Sequence, residues 1–107
     1  MDERLMSQMA SSDGNLVQLS GPVTLYESTE IREPLLAALA LDRDVVIDLE
    51  TSGPWDLAGL QLLLATSVSA QKGGHAVRFI QVPKVCVEIA ERAGLGGWLR
   101  ERTDSFL

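Results

Sequence analysis

The segment Asp44-Val45-Val46-Ile47-Asp48-Leu49 constrains this chain's fold more than any other. A strand with one wet face alternates polar and apolar residues. The uninterrupted Val45-Val46-Ile47 run does not, and such runs belong to strands covered on both faces, as in parallel sheets. Parallel neighbours cannot be joined by a tight turn, so helices must carry the connections. The residues that follow supply one. Glu50 to Trp55 reads as a loop, with Gly53-Pro54 stopping the strand. Leu57, Leu60, Leu64 and Val68 then recur at helical spacing, an apolar stripe reaching about Gln71. Asp56 stands where an N-cap would accept from an amide two or three residues on, and Gly73-Gly74 ends the helix.

The flanks extend the same alternation. Leu16, Val17 and Leu19 form one short strand and Val23 and Leu25 another, turned at Gly21-Pro22 and expected to pair with each other. Ser28 and Thr29 offer hydroxyl caps to a helix carrying Ile31, Leu35, Leu36 and Leu39. Pro34 belongs in a first turn, so the regular part is expected to begin near Glu33. Ala76 to Val82 is the next strand. Pro83 opens a helix over 84–93 whose stripe is Val82, Val85, Cys86, Ile89, Ala90 and Ala93. Gly94 is its C-cap, with Leu95 folding back; Leu95, Trp98 and Leu99 dock a short last helix on the sheet edge. The order predicts an α/β fold: a mixed four- or five-stranded sheet with helices mainly on one face. Residues 1–14 are polar, without a sustained period, and read as a flexible tail preceding a single domain over 15–107.

Composition narrows the function. At 107 residues with 46% hydrophobic and only 5% aromatic content, the core is aliphatic. The lone cysteine, Cys86, excludes an intramolecular disulfide, and no basic leader precedes an apolar stretch, so a reducing cytoplasm is the expected location. No run approaches the roughly 18 apolar residues of a spanning helix. Net charge is −6, and residues 27–56 alone carry eight acids against Arg32 and Arg43. An acidic field repels phosphate backbones and anionic lipid, so a basic protein rather than nucleic acid or membrane is the sharper reading of the expected partner. A solvated acidic face serving solubility is the plainer account of the same charge. No phosphate-cradling glycine loop, Cys/His metal spacing or nucleophile elbow is present, so no catalytic residue, metal or cofactor is assigned.

Val45 to Leu64, VVIDLETSGPWDLAGLQLLL, resembles the centre of STAS domains, the sulfate transporter and anti-sigma factor antagonist family. There a buried strand ending in Asp-Leu leads through a loop into a turn of the Asp-Ser-Ser-Gly type and an apolar helix. Here the turn is Asp56-Leu57-Ala58-Gly59. Gly73-Gly74, the strand at Val77 to Ile80 and the closing Ala93-Gly94-Leu95 fit the family's tail, so the resemblance covers about residues 15–100. It implies a non-enzymatic bacterial binding module for signal transduction by partner switching. Members of the anti-sigma antagonist type bind a serine-kinase-like regulator and are released when a hydroxyl at the turn is phosphorylated. Others sit beside chemotaxis proteins, form soluble domains of anion transporters, or are small subunits of lipid-transport ATPases. This chain departs from the pattern at the phosphoacceptor position, where Leu57 has no hydroxyl. Either the module binds constitutively, or control has moved to Thr51 or Ser52.

The partner-binding surface implied by the resemblance is Ser52, Trp55, Asp56, Leu57, Ala58, Gly59 and Gln61. Each has a plainer reading. Trp55 is either an interface anchor or a cap on the core's edge; Leu57 either a contact or the first inward residue of its stripe. Ala58 and Gly59 admit either a partner's backbone or the sheet. A competing function uses Asp48 as a receiver-type phosphoacceptor, with Glu50 and Asp56 gathered nearby for Mg²⁺. The single helix before Val45 and the order Val82-Pro83-Lys84 argue against it. Cys86, on an apolar stripe, reads as a buried thiol, and His75, in a loop without ligand partners, as a solvent-exposed side chain.

Overall fold

A computed structural model describes residues 15–103. The expected flexible tail, residues 1–14, and the last residues 104–107 lie outside the described residues. Five strands and four helices follow in the order β1 (Asn15–Gln18), β2 (Gly21–Val23), a 3-10 turn (Leu25–Glu27), α1 (Ser28–Leu39), β3 (Val45–Asp48), β4 (Ser52–Trp55), α2 (Leu57–Lys72), β5 (Val77–Ile80), α3 (Lys84–Arg92) and α4 (Gly96–Glu101). The predicted α/β architecture is present.

All strand pairings among the described residues are parallel: β1-β3-β5 form one sheet and β2-β4 a second. The two are continuous along the chain. Leu19 N–H donates to Asp48 O and Gly21 N–H to Thr51 O, so the path 15–23 runs beside the path 45–55 across the junction of the two sheets. The two opening strands therefore pair with β3 and β4, not with each other. Gly21 takes φ +79°, which carries the chain onward where a hairpin would have reversed it. The loop expected over Glu50 to Trp55 contains strand β4, which SGPW, with its glycine and cis Gly53–Pro54 peptide, does not announce.

Strand alternation places Val17, Val45, Ile47, Val77 and Phe79 in the core. Leu16, Gln18, Val46, Asp48, Arg78 and Ile80, on the opposite face, are exposed or half-buried. Central β3 is thus not equally covered on its two faces. α1 packs on β1 and α2, α2 also on β5, and α3 on α2 and β4. The last helix seats Leu99 fully in the core, sets Trp98 edge-on to Phe79 at 5.7 Å, and ends with Phe79 N–H donating to Arg102 O at 2.7 Å.

Two helix boundaries differ from expectation. α1 begins at Ser28, so Pro34 lies in its second turn. Pro34 is solvent-exposed, so the carbonyl that lacks its N–H partner is left on the wet side of the helix, where water satisfies it. The helix has no side-chain cap at all; the hydroxyl that caps is Thr24, which accepts from Tyr26 N–H at the 3-10 turn. The C-terminal caps are as read: Gly94 at φ +78° lets Leu95 N–H donate back to Ala90 O at 2.7 Å.

Candidate functional site

The start of α2 is built from β4 outward. Asp56 is extended, and its Oδ1 accepts from Gly59 N–H at 2.9 Å, the predicted N-cap. Its Oδ2 accepts from Leu25 N–H at 3.0 Å, and Asp56 N–H donates to Val23 O at 3.3 Å. One carboxylate therefore caps α2 and binds the 3-10 turn beside it. That turn, at whose first residue, Leu25, the sequence predicts the end of a strand, puts Leu25 and Tyr26 next to the helix start. Leu57 is 43% exposed, Leu25 60% and Tyr26 89%. These three, with exposed Gln61 and half-buried Ala58, form the outer surface here. Leu25 and Tyr26 were missed because only the tertiary bond to Asp56 places them beside Leu57; Thr24 three residues before Glu27 was the available signal of a turn.

Two residues of the predicted surface are turned inward. Trp55 is only 7% exposed and belongs to the core cluster. Its indole Nε1–H donates to Ser52 Oγ at 3.0 Å, satisfying the one polar atom that burial would strand. Gly59 is buried against β2: a Cβ there would lie 2.8 Å from both the carbonyl carbon and Cγ1 of Val23 and would overlap its carbonyl oxygen. Of the two readings of each residue, the anchor gives way at Trp55 and helix–sheet packing holds at Gly59. The stripe of α2 is correspondingly rotated from the one expected: Gly59, Leu60, Leu63, Thr66, Ser67 and Ala70 are buried, while Leu57 and Val68 are exposed. Small residues let the helix approach the sheet closely, a factor that apolar periodicity does not weigh.

The two substitute hydroxyls differ. Ser52 Oγ donates to Leu49 O at 2.7 Å while accepting from Trp55, and is half-buried. Thr51 is exposed, with its Oγ1 2.7 Å from Ser20 Oγ.

Two of the three acids of the receiver reading are engaged locally, while Glu50 is exposed. Asp48 Oδ1 accepts from Glu50 N–H at 3.0 Å, and both Asp56 oxygens bind backbone amides. Among the described residues no group of three or more His, Cys, Asp or Glu side chains could hold a metal ion. Cys86 is fully buried, and burial pushes its thiol up to about 12, which keeps it protonated and unreactive. His75 is not the free solvent-facing side chain expected: Nε2 lies 3.0 Å from Asp42 Oδ1 and Nδ1 3.6 Å from Asp44 Oδ1, linking the loops before β3 and β5. Among the described residues no helix is long and apolar enough to cross a membrane.

Fold and site together define a small parallel α/β module whose features converge on a helix start. The chain belongs to the STAS family: the model described as Mlab, STAS domain matches residues 6–101. That membership makes it a STAS-type regulatory or binding module. Among solved structures, a sulfate transporter family protein from Wolinella succinogenes is similar, with 17% identity, a TM-score of 0.65, and coverage of 83% of this chain and 74% of that one. At that identity the likeness concerns the fold. No curated protein matches the chain.

Proposed function

We propose that this chain is a protein-binding adaptor without enzymatic activity of its own, docking through the exposed start of α2. The observation that carries this reading is the exposure of Leu25, Tyr26 and Leu57 at this helix start, with Leu25 tied there by Asp56. Large exposed side chains on a well-braced turn make contact area at low ordering cost. Leu57 occupies the position where STAS proteins of the switching type carry a phosphorylated hydroxyl, so a phosphate cannot be added there and binding through this turn is unswitched. The partner is a cytoplasmic bacterial signalling protein, of the serine-kinase-like anti-sigma or chemotaxis type; a lipid-transport ATPase is the alternative and would use the same surface. Thr51, exposed in the adjoining loop, is the better placed of the two hydroxyls for any relocated control.

The test is affinity capture from native lysate with mass-spectrometric identification, using wild type, Leu57→Asp and Tyr26→Ala. Both side chains are exposed, so both variants fold as wild type by circular dichroism. Each is expected to lose the captured protein, and the identity of that protein separates signalling from transport. Full retention by both variants would remove the docking surface.

A further inference from the structure

Beside the 3-10 turn a groove of about 300 Å³ opens between the β1–β2 path and the first turns of α1. Leu19, Pro22, Val23, Ile31 and Pro34 make apolar walls, and the acidic residues Glu27 and Glu30 complete its lining on the α1 side. Glu27 accepts from the Thr24 hydroxyl, and no lysine or arginine among the described residues pairs with either acid. The surrounding segment, 27–56, carries eight acids against two arginines. A long aliphatic stem ending in a positive charge complements this combination: the stem lies on the proline, leucine and isoleucine surfaces while the head meets the carboxylates.

We propose that this groove receives a lysine or arginine side chain of the protein partner, next to the apolar contacts of Leu25 and Tyr26. The inference rests on the docking reading above and adds the chemistry of the partner's contact. Glu30 also complements the amide-rich start of α1, so its charge has a role in the helix itself. The two roles separate experimentally, because one concerns folding and the other affinity.

The experiment titrates the full chain, labelled with ¹⁵N, with n-butylguanidinium and n-butylammonium at constant ionic strength, and with 1-butanol as the uncharged control. Saturable amide shifts are expected at Leu19, Ser20, Val23, Glu27, Glu30 and Ile31 with the cations and not with the alcohol. Glu27→Gln with Glu30→Gln, confirmed folded by thermal melting, is expected to weaken that binding about fivefold or more, the loss appropriate to two partly exposed charge contacts. Absence of saturable shifts in the groove, or equal affinity in the double variant, overturns the proposal. Leu57→Asp lies outside the groove and leaves the titration unchanged; its failure to release the captured protein would defeat the docking surface while the titration still judges the groove. Undiminished capture by the double glutamine variant would overturn the partner's basic contact.

Discussion

The two helices that border the candidate surface begin in different ways. α2 starts on Asp56, whose carboxylate accepts from Gly59 and Leu25, and its first turn is pressed on Val23 through a glycine that leaves no gap. α1 starts on Glu27, which makes no side-chain cap, follows a 3-10 turn, and carries Pro34 in its second turn. One start is locked to the sheet by several bonds, the other laid over it with spare charge and a groove. Recognition benefits from both: a rigid edge holds side chains in place, and an adjoining concavity with unspent charge adds selectivity.

The contrast can be broken most easily at Gly59. Gly59→Ala is expected to lower stability by about 2 kcal/mol or more, since the added methyl overlaps the Val23 backbone and any helix-propensity gain is smaller. An alanine-to-leucine change at exposed Ala37 in α1 is expected to stay within about 0.5 kcal/mol. Urea unfolding followed by circular dichroism measures both; similar costs would mean that α2 is not locked. Next in size, Asp56→Ala is expected to cost about 1–2 kcal/mol by losing the cap and the tether to Leu25. The same substitution at Glu27 should cost a few tenths, because no cap is lost there. In the opposite direction, Pro34→Ala is expected to stabilise by roughly 1 kcal/mol, restoring an N–H to α1. No gain there would show that α1 has adapted to its proline. The smallest expected effect is Leu57→Asp, within about 0.5 kcal/mol of wild type in urea, since an acid at a helix start is welcome. A larger loss would place Leu57 in the fold rather than on its surface.

The elements read best from sequence were those whose signals are local. Val45 to Asp48 and Val77 to Ile80 are strands, Asp56 caps, and Gly73 and Gly94 close their helices, because β-branched runs and cap residues act over a few positions. β4 was not legible: Ser52-Gly53-Pro54-Trp55 has poor strand propensity, and only pairing with β2 makes it a strand. The inward turn of Trp55 follows from that pairing, since the residue opposite Val23 lies on the covered side. Equally, nothing in the spacing of α2 distinguished Leu57-Leu60-Leu64 from Leu60-Leu63 as its buried stripe, because the helix is apolar on most of its surface and the choice depends on how closely the backbone can approach the sheet.

The sequence by itself determined the alternation of strand and helix, the family, the cap at Asp56 and the missing hydroxyl at Leu57; these depend on residue chemistry and short spacing. Only the tertiary structure decided which strands pair, that Trp55 and Gly59 face inward, and that Leu25 and Tyr26 join Leu57 at the surface. Those outcomes turn on contacts between residues some thirty positions apart, such as Leu25 with Asp56, and local chemistry carries no record of which distant partner will arrive.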